Sequence, residues 1–312
     1  MDVDRLLDPE IAEAIRAMPT LVLTDASVPL MRAQRRAQAE AASLSDSVSR
    51  TDISIAGAPG DPDVRLRISR PKETEGPLGC LYWIHGGGYV SGLPEQNDQM
   101  FDHLCTKLRC TGVSVQYRLA PENPYPAGLN DCYAGLSYVF SHATELGIDP
   151  NRIGIGGASA GGGLAAALGL LARDRSEFSV AFQYLVYPMI DDRQITVSSS
   201  WEVPVWSPAS NTFGWRAYLG ELHGGDVPAY AAPTRADDLD GLPPSYVVVG
   251  ALDGFLDEDV DYATRLNRAG VPTELHVYPG APHGFDAFFP GTRLSRRARV
   301  TGDDWLNRML NP

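Results

Sequence analysis

The chain has 312 residues and a formal charge of −13, with 39 Asp and Glu against 26 Lys and Arg, which excludes a general polyanion binder. A hydrophobic content of 44% and a charged content of 21% are those of a globular chain with a large core, and they exclude disorder. The 31 glycines and 24 prolines fall short of the roughly 25–30% that marks low complexity. At ~150 residues per domain the length allows two domains, and one large α/β unit with an appended cap is expected.

Residues up to about 45 read as helical. Leu6, Leu7, Ile11, Ile15 and Met18 are spaced for one face, a charged run from Arg32 to Glu40 follows, and Pro9, Pro19 and Pro29 are expected to interrupt. The start, Met1-Asp2-Val3-Asp4-Arg5, places acids where a secretory signal needs bases, so a cytoplasmic location is expected. From Thr51 the pattern changes to short β-type runs: Asp52 to Ile55, Val64 to Arg70, Cys80 to Ile84, Gly112 to Tyr117, Arg152 to Ile155, Ala181 to Val186, Tyr246 to Val249 and Glu274 to Tyr278. Helix-length segments lie between the later ones, marked by Met100, Leu104 and Leu108, by Tyr133, Leu136 and Val139, by Leu164 to Ala172, and by Leu256, Val260, Ala263 and Leu266. Strands alternating with helices predict an α/β fold with a mainly parallel eight-stranded sheet flanked by helices. The first two strands have no helix between them and can pair antiparallel. The segment from about 191 to 240 breaks the alternation and carries Trp201, Trp206, Phe213, Trp215 and Tyr218. It reads as an insertion packing with the N-terminal arm, which is either a solvated helical arm or part of a lid over a site; the expected division is a cap segment over 1–50 and a catalytic domain over 51–312.

One stretch, Ile153 to Ala172, has nearly membrane-spanning length and no charge. Its first part alternates isoleucine with glycine and its second is built of helix formers, so it reads as strand, tight turn and buried helix. The four cysteines, Cys80, Cys105, Cys110 and Cys132, form no C-x-x-C pair and read as buried free thiols.

Gly157-Ala158-Ser159-Ala160-Gly161 puts a serine between two glycines, after a strand and before a helix. That is the pattern of a strained turn that lifts a nucleophilic hydroxyl above a sheet. A phosphate-binding loop is the rival, but its lysine is missing. Upstream, His85-Gly86-Gly87-Gly88-Tyr89 follows an apolar run, and successive glycines let backbone N–H groups face a developing oxyanion. His85 reads as an orienting residue.

A serine hydroxyl needs a base, and the base an orienting carboxylate. His283 lies just after the last predicted strand, at the same sheet edge as Ser159, whereas His276 lies inside that strand and His103, His142 and His223 lie elsewhere. Asp253 follows the strand Tyr246 to Val249 by a few residues. Its rivals Asp257, Glu258 and Asp259 open a helix, where acids meet the dipole favourably. Ser159, Asp253, His283 is the chain order of the α/β hydrolases.

With these residues the chain resembles the hormone-sensitive-lipase-like, or bacterial family IV, esterases of the α/β-hydrolase superfamily. The similarity runs from Leu81 to Phe285 through His85 to Tyr89, Tyr117-Arg118-Leu119-Ala120-Pro121-Glu122, Tyr125-Pro126-Ala127, Asp131-Cys132-Tyr133, Gly157 to Gly162, Asp253 and His283-Gly284-Phe285. The resemblance implies an α/β-hydrolase fold with a helical cap, Ser159 as nucleophile, His283 as base and Asp253 as its orienter. It also implies an oxyanion hole of Gly86, Gly87 and Ala160. Gly88, Tyr89 and Phe285 are the expected substrate contacts. The expected substrate is a small ester with a short- to medium-chain acyl or an aryl group. No metal or cofactor, no nucleic acid and no stable membrane association are expected, and a homodimer is left open. Two departures stand out: Ala158 replaces the family's usual Asp or Thr, and Asp253-Gly254-Phe255 replaces D-P-L. Amide cleavage on the same fold, and a receptor without chemistry, are the alternatives.

Overall fold

The computed structural model describes residue 3, residues 5–16 and residues 22–312. The expectations for Met1, Asp2 and Asp4, and for Met18 and Pro19, lie outside these described residues. Helices α1 (Pro9–Ile15) and α2 (Ser27–Glu40) come first. Pro9 and Pro29 do not interrupt them as expected: Pro9 opens α1 behind an Asp8 cap that accepts the Glu10 N–H at 3.0 Å, and Pro29 lies in the first turn of α2. A first-turn N–H has no helical partner, so its absence in proline costs nothing there.

Eight strands follow: β1 (Val48–Ile55), β2 (Val64–Pro71), β3 (Leu78–Ile84), β4 (Thr111–Gln116), β5 (Ile148–Ala158), β6 (Gln183–Val186), β7 (Ser245–Leu252) and β8 (Thr273–Pro282). They form one sheet in the order β1-β2-β4-β3-β5-β6-β7-β8. β1 pairs antiparallel with β2, and β2 with β4; every other pairing is parallel. Among the connections are α3 (Asp98–Leu108), α4 (Ala127–Ser141), α5 (Ala160–Arg175), α6 (Pro208–Leu219) and α7 (Leu256–Arg268). Beyond β8 come α8 (Phe285–Phe288) and α9 (Arg293–Leu310).

Central strand β3 is buried along its whole length, and its alternation divides the core. Cys80, Tyr82 and Ile84 pack on one face with Leu136, Leu168 and Tyr262, from α4, α5 and α7. Leu81 and Trp83 pack on the other with Phe101 and Trp305, from α3 and α9. All four cysteines are buried and free. The apolar stretch from Ile153 divides into β5 and α5, and among the described residues no helix is long and apolar enough to cross a membrane.

The expected arm splits. Leu7 and Ile11 seat α1 against Phe285 and Phe289, and Asp8 donates its N–H to Gly280 O at 3.0 Å. Leu23 and Val28 instead pack with Val90 and Phe213, and Leu23 N–H donates to Ser210 Oγ at 3.1 Å. Among the described residues the second part of the arm packs on α6 of the insertion, and β1 begins at Val48, ahead of the 50/51 boundary. The insertion itself contains α6, opened by Ser207 as its cap and Pro208 in first position.

Candidate active site

The C-terminal ends of β3, β5, β7 and β8 deliver four loops to one edge of the sheet, where an open α/β sheet binds ligands. At the first residue past β5, Ser159 holds φ at 57°, a left-handed conformation that places its side chain above the strand. Its N–H donates to Val186 O at 2.9 Å, and its carbonyl accepts the N–H groups of Gly163 and Met189, each at 3.0 Å. The flanking glycines are needed for space: a Cβ on Gly157 would lie 2.2 Å from Gly161 O, and one on Gly161 would lie 2.1 Å from Ile84 O. The turn and the glycine loop after β3 are thus in backbone contact.

His283 follows the end of β8. Its Nε2 lies 2.9 Å from Ser159 Oγ and its Nδ1 lies 2.8 Å from Asp253 Oδ2. This pairing selects the tautomer in which Nδ1–H donates to the carboxylate and Nε2 accepts the serine proton. Asp253 Oδ1 accepts the Phe255 N–H at 3.0 Å. Asp253 is fully buried, and Ser159 and His283 are only 8% and 5% exposed, so the hydrogen bonds of this line meet little competition from water. Tyr187 and Phe255 approach the imidazole edge to face at 4.8 and 5.0 Å, and Trp206 lies at 6.0 Å. Tyr187 in turn donates its hydroxyl to Asp286 at 2.8 Å, a carboxyl pushed up by burial.

Gly86 stands against the serine: a Cβ there would lie 2.6 Å from Ala158 O and 3.3 Å from Ser159 Cβ. Gly87 holds φ at 139°, with Ser91 O only 2.0 Å from where a Cβ would be. Among the described residues the N–H groups of Gly86, Gly87 and Ala160 have no protein acceptor. His85 is buried with its pKa pushed down to about 3, chiefly by burial, and stacks on Tyr117 at 4.3 Å; it is a neutral support of the loop. Next to Tyr117, Arg118 holds Asp131 of α4 through its backbone N–H at 2.8 Å and its guanidinium at 2.8 Å, while the Tyr117 hydroxyl donates to His85 O at 3.0 Å.

Of the three expected substrate contacts, two are placed elsewhere. Tyr89 is fully buried, stacks on Tyr218 at 4.0 Å and donates its hydroxyl to Met189 O at 2.8 Å, so its ring belongs to the core. Phe285 is likewise buried, 5.6 Å from Tyr278. Gly88 does reach the mouth, where a Cβ would lie 2.4 Å from the Trp206 ring. Of the aromatics that approach the imidazole, Trp206 belongs to the aromatic insertion and Phe255 to the Asp253 turn, both named from sequence, whereas Tyr187 is not singled out there. Tyr187 stands directly after β6, and that strand-end position was the available signal.

The acids of α7 also depart from a simple helix-dipole role. Asp257 accepts the Ser198 N–H at 2.9 Å, and Glu258 accepts those of Ile190 at 3.2 Å and Asp191 at 3.3 Å. Asp259 is fully buried with neither oxygen partnered among the described residues. Burial first, and then the neighbouring acids, push Glu258 and Asp259 well up. The folded Asp259 keeps its proton where the unfolded chain, near pH 3.8, has released it, so the parent loses stability as pH rises until the folded carboxyl itself ionises. Asp259→Asn should therefore gain on the parent as pH rises above 4, by at most about 1.4 kcal/mol per pH unit. Paired denaturant melts across that range check it; a constant difference would mean that the folded carboxyl is ionised like the unfolded one.

The profile of the alpha/beta hydrolase fold matches residues 81–287. Esterase LipI of Mycobacterium tuberculosis is 31% identical over 89% of this chain and 88% of its own. Carboxylesterase NlhH of the same species is 32% identical over 98% of this chain and 97% of its own. Among solved structures, a bacterial heroin esterase superposes with a TM-score of 0.94 at 43% identity, covering 99% of each chain. The chain is a carboxylic ester hydrolase and belongs to the hormone-sensitive-lipase-like esterases of the α/β-hydrolase fold.

Proposed function

We propose that the chain hydrolyses small carboxylic esters in two acyl-transfer steps, with Ser159 as nucleophile, His283 as general base and Asp253 as its orienter. The observation that carries this proposal is the unbroken hydrogen-bonded line from Asp253 Oδ2 through His283 to Ser159 Oγ. Ser159 attacks the ester carbonyl as its proton passes to Nε2; the imidazolium, held by Asp253, then protonates the leaving alcohol. Water activated by the same imidazole releases the acid. Gly86, Gly87 and Ala160 donate their N–H groups to the oxyanion, where each donor contributes roughly 3–4 kcal/mol. Trp206, in contact with Gly88 and beside His283, together with Tyr187 restricts the space around the scissile bond, which favours short- to medium-chain acyl or small aryl esters. The part of the arm at Leu23 and Val28, with α6, serves as the cap. Four buried free thiols suit the reducing cytoplasm.

A p-nitrophenyl ester series from acetate to dodecanoate, run beside the matched p-nitroanilides, tests the bond and the size. Turnover of the short esters, a fall in kcat/KM along the series, and anilide cleavage slower by orders of magnitude are expected. Anilides cleaved as fast as esters would make the chain an amidase, and rising activity toward dodecanoate would overturn the size limit.

A further inference from the structure

The first two carbonyls of the glycine loop, those of His85 and Gly86, are each met by side chains. A peptide unit is planar and trans, so its C=O and the next residue's N–H point in opposite directions. Whatever holds the carbonyl of residue 85 therefore sets the Gly86 N–H, and whatever holds the carbonyl of Gly86 sets the Gly87 N–H. Tyr117 donates its hydroxyl to His85 O at 3.0 Å. Gly86 O is met by His85 Nδ1 at 3.2 Å and by Gln96 Nε2 at 3.3 Å.

Gln96 stands in the 3₁₀ turn Pro94–Asn97, and its amide does more than meet one carbonyl. Its Oε1 accepts the Leu93 N–H and a guanidinium N–H of Arg35, each at 3.4 Å. Two donors at one end and a carbonyl at the other fix which way the amide points. One side chain thereby ties together the two ends of the loop from Gly86 to Leu93. It also ties that loop to α2, the helix that carries Arg35. Three residues earlier on α2, Arg32 donates to Val90 O at 2.7 Å and Ala120 O at 2.9 Å, and pairs with Glu122 at 2.7 Å, so the helix is clamped to the same loop at a second point.

We propose that Gln96 is a positioning residue: its Nε2–H, held in place by Arg35 on α2, orients the Gly86–Gly87 peptide so that the Gly87 N–H meets the oxyanion. The claim rests on Gly87 being an oxyanion donor in the ester hydrolysis proposed above. It makes α2 a catalytic support as well as part of a cap. Such a role acts on the transition state, where charge collects on the carbonyl oxygen, and leaves ground-state ester binding nearly alone.

Gln96→Glu tests it, since Glu keeps the shape and can still accept from Leu93 and Arg35 but, ionised, has no N–H for Gly86 O. Expected are a kcat lower by about tenfold to a hundredfold, less than the 10²–10³ of losing a donor outright, and a KM within about twofold. Affinity for a trifluoromethyl ketone, which forms a tetrahedral oxyanion on the serine, should fall by the same factor as kcat/KM. Gln96→Met, which also removes the acceptor, should show the same split, and thermal melts of both variants separate it from unfolding. An unchanged kcat in both folded variants, or a kcat loss without loss of ketone affinity, overturns the role of Gln96 while leaving the ester-hydrolase site intact. Labelling the parent with a fluorophosphonate distinguishes the deeper failure: no adduct on Ser159 overturns both.

Discussion

Ser159→Ala is expected to lower kcat toward a short-chain aryl ester by about 10⁵–10⁶-fold, the order seen when a serine that acts as a unit with its base is removed. The hydroxyl has no structural duty to lose: its one side-chain hydrogen bond among the described residues is to His283. The turn is held by backbone bonds at Val186, Gly163 and Met189, which alanine keeps, so the melting temperature should stay close to the parent's. What residual rate survives reflects the oxyanion donors acting on a water molecule. Activity within tenfold of the parent, in protein free of parent contamination, would remove Ser159 from the reaction.

Asp253→Asn should cost about 10⁴ in kcat, through the tautomer of His283 rather than through shape. An asparagine in the same place still accepts the Phe255 N–H with its oxygen, and then turns its NH₂ toward Nδ1. Nδ1 must then accept, the ring proton moves to Nε2, and the imidazole can no longer take the serine proton. KM should change little. Asp257→Asn is the matched control, because among the described residues the Asp257 carboxylate accepts only the Ser198 N–H and makes no bond to His283; its kcat should stay within about tenfold of the parent. Equal losses in the two variants would mean that the carboxylate acts through local folding and not through the imidazole.

The sheet was legible because its strands are short apolar runs divided by turn residues, and all eight were found with their ends displaced by a few residues. β5 shows the limit: the run begins at Ile148, where Asp149, Pro150 and Asn151 hide it in turn-like composition. α9 went unread altogether. Its buried Ala298, Trp305, Leu306 and Leu310 are spaced along one face, but Arg296, Arg297 and Arg299 mask the stripe in a linear reading. Motifs placed the serine, the histidine, the acid and the glycine loop on one sheet edge, since each follows a strand end. They gave no side-chain directions. Tyr89 adjoins the glycine loop and yet turns into the core, because its residue adopts φ of 64° and α6 supplies Tyr218 for it to stack on. The supports of the loop were equally hidden: Gln96 is an ordinary polar residue in a short turn, and only the fold brings Arg35 to it across 61 positions. Glu258 and Asp259 open a helix as surface acids do, but the start of α7 faces the core, so burial governs their protons.

Rapid mixing of the parent with a p-nitrophenyl ester, an acid quench within the first turnovers, and peptide mass mapping test the central claim most directly. A mass increase equal to the acyl group on the peptide carrying Ser159, formed and lost at rates that account for kcat and missing from Ser159→Ala, is the predicted result. An acyl group on another residue, or steady turnover with no acylated peptide while acid release limits the rate, would contradict it.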